Sequence, residues 1–445
     1  MKKSIYIFII AMGCISQLHA QWTLEHLSQA RIFPGTFGYQ DKVYVAGGYI
    51  QATTGIMTNR VDIYDNASGS WSIDSLSSVR GDVAVIGVND KVYFAGGTTN
   101  GFGNAKEVDI YDVVSGTWSV DSLITTQAAC IPVTIGNKIY FAGGTSNAPG
   151  GVTKVVSVYD YITDTWTTDS LSQARFGHHG AAVGDVAVFA GGYINTTSYP
   201  TTKRVDIYNA TANTWDTASL SQARGNIACI AAGGKIFFAG GLVSVASGAL
   251  SNVVDIYDVA GNSWSTAALS MGRRSIATAT IGNLVFFAGG EQNFNQNTPC
   301  KRVDIYNLTT GSWTIDSMSV PHDALAGAQL NNNKVFFIGG GSYMGNLLND
   351  EVEIYSDNAA GINEPSLNNM FTISPNPSNG IVTIKNSHGA AFDFCIYNST
   401  GQFVQSGTNM QSVCSIDLCR FNGTVFFITI INGTNECTKV ISIIK

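Results

Sequence analysis

The sequence predicts an all-β protein: a seven-bladed β-propeller followed by a small β-sandwich of the immunoglobulin-like kind. Three observations predict it. The seven tryptophans, Trp22, Trp71, Trp118, Trp166, Trp215, Trp264 and Trp313, recur 47 to 49 residues apart. A glycine pair keeps the same period, at Gly47-Gly48, Gly96-Gly97, Gly143-Gly144, Gly191-Gly192, Gly240-Gly241, Gly289-Gly290 and Gly339-Gly340. So does a tyrosine, at Tyr64, Tyr111, Tyr159, Tyr208, Tyr257, Tyr306 and Tyr355. Self-similarity at this period marks an array of units that cannot bury their faces alone.

Within a unit, Val43-Tyr44-Val45, Val61-Asp62-Ile63-Tyr64 and Trp71-Ser72-Ile73 are β-branched or aromatic runs separated by Gly, Asn and Ser. Each unit therefore reads as a four-stranded antiparallel sheet. Radial stacking of such sheets buries their faces and leaves only short edges. The Gly pair supplies positive φ and close approach, and Tyr and Trp fill the space between sheets. The order Lys42 to Gly48, a polar loop, Val61 to Asp65, a turn and Trp71 resembles the kelch repeat, which implies a kelch β-propeller.

Ring closure follows from a mismatch at the ends. Trp22 precedes the first Gly pair, whereas no Trp follows Tyr355. Residues 22–27 are thus expected to pair with Glu351 to Tyr355 and complete the last blade. Sixteen residues before the Gly pairs stand Arg31, Arg80, Arg175, Arg224 and Arg273, with Gln127 and Asp323 in the third and seventh units. Before each Tyr lies Asp62, Asp109, Asp206, Asp255, Asp304 or Glu353, with Ser157 in the third unit. The third unit loses both charges together, which predicts an Arg to Asp bridge inside each blade; the seventh unit does not fit this scheme.

The ends are of a different kind. Lys2-Lys3, an apolar stretch from Ile5 to Ile15 and Leu18-His19-Ala20 have the layout of a signal peptide over residues 1–20. The apolar run is too short to span a bilayer, so no transmembrane segment is expected in the mature chain. The propeller is assigned residues 21–357, and 358–370 read as a polar linker. Residues 371–445 alternate apolar and polar positions with turns at Asn379-Gly380, Asn422-Gly423 and Asn432-Gly433. Their motifs Phe371 to Gly380, Ile396 to Gln402, Ile416-Asp417-Leu418 and Gly423 to Ile430 resemble the C-terminal sorting domain of the bacterial type IX secretion system. The resemblance implies the type IX machinery as a partner and a secreted or surface-attached product. Four cysteines, Cys395, Cys414, Cys419 and Cys437, fall in this tail, and their pairing is not decided by the sequence. Asp-Ser/Thr followed by Leu, Ala or Met, as at Asp74-Ser75-Leu76, resembles an O-glycosylation motif of exported proteins; the preferred reading is a repeat position where the outer strand turns.

Charged residues are only 12 percent of the chain, the formal net charge is −7, and no basic cluster exceeds a pair. Nucleic acid is therefore excluded as a partner. The long loops after the Gly pairs carry Tyr193, Tyr199, Phe294 and Tyr343 among amide and hydroxyl groups, a composition suited to a glycan or protein ligand. Recognition is the favoured function. The alternative is a sugar-active kelch enzyme. A sialate mutarotase-like site would draw on Glu291, His178, His179 and Arg274 for proton exchange. A galactose-oxidase-like copper site would need a Tyr-His pair that the chain lacks, and no metal or other cofactor is expected.

Overall fold

A computed structural model describes residues 21–330, 334–342, 347–356, 371–376, 378–386, 391–399, 401–411, 413–421, 423–432 and 435–443. The signal-peptide and linker assignments, and Tyr343, lie outside them. Two compact units divide the chain, one within residues 19–357 and one over the C-terminal segment. Among the described residues, no helix is long and apolar enough to cross a membrane.

The larger unit is a β-propeller built from seven antiparallel sheets among the described residues. Their innermost strands are Gly35–Tyr39, Ala84–Val88, Ile131–Ile135, His179–Val183, Ala228–Ala232, Ala277–Ile281 and Ala326–Leu330. Each touches the next in chain order, and Ala326–Leu330 touches Gly35–Tyr39, so the order is a closed ring. In the first six sheets the chain runs outward to an edge strand that begins at or one residue before the repeat Trp. The last sheet takes its outer strand from the start of the chain: Gln21–His26 pairs with Glu351–Ser356, placing Trp22 opposite Tyr355.

Hydrophobic clusters join one sheet to the next. Val43 and Val45 of the first sheet pack with Phe336 and Ile338 of the last, and Phe141 of the third with Tyr93 and Ile110 of the second. Each repeat Tyr lies against its own Trp, as in Tyr159 and Trp166 with ring centres 4.8 Å apart. For five of the tryptophans the indole N–H also reaches the sheet before. Trp118 donates to Asp74 at 2.8 Å, Trp166 to Asp121 and Trp215 to Asp169 at 2.7 Å, and Trp71 to Glu25 at 3.3 Å. Trp22 donates to Asp316 at 2.9 Å, which ties the first strand to the sixth sheet as well as the seventh. These acids include the Asp of the Asp-Ser motif. Asp74 Oδ2 takes the indole while its Oδ1 accepts the Ser75 amide at 2.8 Å, so the motif has a structural use at the outer turn.

The buried bridges form in all five units that carry Arg and Asp: Arg31 with Asp62, Arg80 with Asp109, Arg175 with Asp206, Arg224 with Asp255 and Arg273 with Asp304. All five arginines have no exposed surface. Burial lowers the pKa of these guanidiniums and the partner carboxylate opposes it. In the third unit Ser157 Oγ donates to Gln127 Oε1 at 2.6 Å, a neutral version of the same link.

The seventh unit corrects the sequence alignment. The residue in the Arg slot is His322, not Asp323: its Nδ1 lies 2.7 Å from the Gly339 carbonyl, which corresponds to the Arg273 contact with Gly289 at 2.6 Å. Three residues separate strands Ala326–Leu330 and Lys334–Ile338, where two separate Ala277–Ile281 and Leu284–Ala288. That one extra residue shifts the count.

The C-terminal unit has a three-stranded and a four-stranded antiparallel sheet. Val382, Ile384 and Ile416 of one meet Phe394, Ile396, Phe426 and Ile428 of the other in a common core, a β-sandwich. Cys395 and Cys414 are free thiols, and Cys419 Sγ lies 3.5 Å from the Asn379 carbonyl.

Two outcomes follow. Asp255→Ala strands a buried guanidinium and is expected to cost about 3–5 kcal/mol, read as a lowered urea midpoint; adding Arg224→Met should recover part of it, and a neutral single mutant would refute the bridge's role. Removing residues 21–27 deletes the outer strand of the last sheet, so the propeller should lose its cooperative melt. A truncated protein melting at the parent temperature would refute closure by this strand.

Candidate functional site

After each Gly pair the chain emerges on the loop face and is pinned at once. The next residue forms an antiparallel bridge to the residue preceding an inner-strand turn: Tyr49 to Ile32, Thr98 to Gly81, Thr145 to Ala128, Tyr193 to Phe176, Leu242 to Gly225, Glu291 to Arg274 and Gly341 to Asp323. The following residue in every turn is left-handed. Phe33, Asp82, Ala129, Gly177, Asn226, Ser275 and Ala324 have φ of 49° to 58°. Only one of the seven is glycine, so six turns carry the steric cost of a side chain in that region. Neighbouring turns are joined through the backbone, with Asn226 N–H donating to the Gly177 carbonyl at 2.8 Å and Ser275 N–H to Asn226 at 3.2 Å.

These seven residues border a central cavity of about 380 Å³. Its walls are mostly apolar, including Val83, Val85, Ile131 and Ile276, with Asp82, His178, His179, Asn226 and Ser275 among the polar groups. The Tyr49 hydroxyl donates to Asp82 Oδ2 at 2.6 Å and Thr98 Oγ1 to the same oxygen at 3.0 Å. Burial pushes the Asp82 carboxyl up, and these two donors oppose the shift.

His178 fills the slot between sheets that Val83, Cys130, Ile227, Ile276 and Leu325 fill elsewhere. It is fully buried, and burial drives its pKa well below 6.5, so the ring is neutral. Neither ring nitrogen has a partner within hydrogen-bond geometry, the Ala142 backbone being its polar neighbour.

Arg274 and Glu291 do come together. Arg274 Nε donates to Glu291 Oε2, and the guanidinium lies over the Phe294 ring, 4.5 Å from its centre. Neither side chain belongs to the cavity wall, although Arg274 directly precedes the lining residue Ser275. Asp323 joins them from the next sheet. It is buried, its Oδ1 accepts the Ala324 amide at 2.7 Å, and burial together with the charge of Glu291 raises its pKa to about 7 against the pull of Arg274. Burial also raises Glu291.

The aromatic candidates form a second patch. Phe176, Tyr193 and Tyr199 have ring centres 5.3 to 5.9 Å apart. Tyr193 is buried across Gly177 and Gly225, while Tyr199 is 41% exposed. Sequence reading missed Phe176, Asp82 and Asp323 as site residues. Phe176 and Asp82 lie in the turns before the inner strands, not in the long loops, and Asp323 was hidden by the one-residue shift. Among the described residues, no three His, Cys, Asp or Glu side chains are grouped to hold a metal ion.

Residues 128–340 match the model of the KLHDC2/KLHL20/DRC7 Kelch-repeats domain, and residues 372–445 match that of the secretion system C-terminal sorting domain. A search of curated proteins gave no match.

Asp323 makes stability depend on pH. Its folded pKa of about 7 exceeds the unfolded value of about 4, so its contribution is complete below pH 4 and is lost as pH rises through 7. Asp323→Asn should therefore raise the melting temperature relative to the parent more at pH 8 than at pH 4.5. An offset equal at both pH values would show that Asp323 titrates normally.

Proposed function

We propose that this chain, a kelch-repeat β-propeller with a type IX secretion sorting tail, is an exported recognition module that binds a glycan or a protein segment on the loop face around the central cavity. The observation that carries this reading is the Phe176, Tyr193 and Tyr199 cluster, which packs beside the cavity-lining Gly177 with Tyr199 exposed. Aromatic faces cover the apolar side of a sugar or peptide while nearby amides and hydroxyls take its polar groups. Here Asn226 and Ser275 line the same cavity. A ring fixed by buried bridges holds such a surface in one shape, so little ordering is needed on binding. The tail supplies the location: a protein passed to the secretion machinery through residues 371–445 works at the cell surface or beyond it.

One observation favours a sugar-active enzyme as the second reading. Glu291 and Asp323 are two buried acids beside Arg274, and a carboxyl near pH 7 both gives and takes protons at neutral pH.

Proton NMR of the purified protein with a panel of sugars, including sialic acid, and of short peptides separates the two readings. Saturation transfer to a ligand, weakened tenfold or more by Tyr199→Ala with no change in melting temperature, supports recognition. Accelerated anomeric exchange that Asp323→Asn abolishes would replace it with catalysis.

A further inference from the structure

The cavity itself states a charge preference. Among the described residues that line it, Asp82 is the one carboxylate, and none is Lys or Arg. Two neutral donors, Tyr49 and Thr98, both serve Oδ2, leaving Oδ1 without a hydrogen bond among the described residues. An anion placed here would face a carboxylate inside low-dielectric walls with nothing to compensate it. His178 also borders the cavity, but its ring is fully buried between sheets beside Gly143 and is held neutral by burial, so it brings no compensating positive charge. The open group is thus a carboxylate oxygen, and a ligand rich in donors and free of acceptors matches it.

We infer that the central cavity takes a protonated amine, the side chain of a lysine presented by a protein partner, with its ammonium at Asp82 and its methylene stem along Val83, Val85 and Ile131. An ammonium has three donors and no acceptor, and a four-carbon stem suits apolar walls. A volume of about 380 Å³ admits one such side chain. The inference rests on the recognition reading and narrows it from glycan or protein to a protein that displays lysine.

The test uses the full purified protein and calorimetry with Nα-acetyl-lysine methylamide, its norleucine analogue, and a neutral methyl glycoside. The lysine probe should bind at least tenfold more tightly than norleucine, and Asp82→Asn should remove that difference while leaving the melt unchanged. Equal binding of the two probes, or an unaltered preference in Asp82→Asn, overturns the assignment. The comparison of probes on the parent protein decides the matter even if the variant folds poorly. Glycoside binding without lysine binding overturns the assignment but leaves the recognition reading standing. Silence from all three probes overturns the assignment and leaves the broader reading to the sugar and peptide panel.

Discussion

One backbone contact repeated around the ring organises the propeller. The second glycine of each pair donates its N–H to the carbonyl of the Arg-slot residue in the next sheet: Gly48 to Arg80, Gly97 to Gln127, Gly144 to Arg175, Gly192 to Arg224, Gly241 to Arg273, Gly290 to His322 and Gly340 to Arg31, all at 2.7 to 3.0 Å. The side chain of that same residue turns back into its own sheet. Arg80 Nη1, for example, donates to the Gly96 carbonyl at 2.7 Å and to Glu107 at 2.8 Å, and Nη2 meets Asp109. A single residue thereby fixes two neighbours. The glycines are required because a Cβ on Gly97 would lie 2.6 Å from the Gly81 carbonyl oxygen, at a φ of 111°. The contact from Gly340 to Arg31 joins the last sheet to the first.

A buried guanidinium is expensive unless it is paired; each of the five has an aspartate partner, although the Nε of all five, and Nη1 of Arg31 and Arg175, find no hydrogen-bond acceptor among the described residues. Each aspartate also has its second oxygen engaged, as Asp109 Oδ1 accepts the Ser77 amide at 2.9 Å. The two departures show what is essential. Gln127 with Ser157 keeps the contact to the Gly143 carbonyl, at 2.9 Å, and discards both charges. His322 keeps the contact to Gly339, and the longer Glu353 reaches the Ser319 amide at 2.7 Å. Gln127 and His322 thus keep the glycine-carbonyl contact made by Arg80, Arg224 and Arg273, whereas Arg31 and Arg175 reach a strand carbonyl, Val45 or Phe189, instead.

Much of this was legible in the sequence because the constraints repeat. Period gave the units, the unmatched Trp22 gave the closing strand, and the joint loss of charge at Gln127 and Ser157 gave the bridge. Legibility failed where the period slipped by one residue between Leu330 and Lys334, which set Asp323 in a slot that His322 occupies. It failed also at the rim. Phe176, Asp82 and Asn226 are single members of a sevenfold set of turn positions whose other members are unremarkable, and the composition of the loops does not point to them. Pairing of Arg274 with Glu291 was outside reach for another reason, since it depends on a bridge between turn and loop that only the fold creates.

The same repetition separates stability from function. Residues that fix one sheet to the next are nearly identical in every unit, so a departure at those positions must be compensated locally, as at Gln127 and Ser157. The rim positions carry no such obligation: their contacts to each other run through the backbone, and Phe33, Asp82, Ala129, Gly177, Asn226, Ser275 and Ala324 adopt one left-handed conformation with six different residue types. A ring of this kind can change its charge and shape at the cavity mouth without altering a single clip between sheets. Asp82, the Phe176 cluster and the Arg274, Glu291 and Asp323 group therefore lie where chemistry is free to vary, and ligand choice is expected to reside there and not in the conserved geometry beneath.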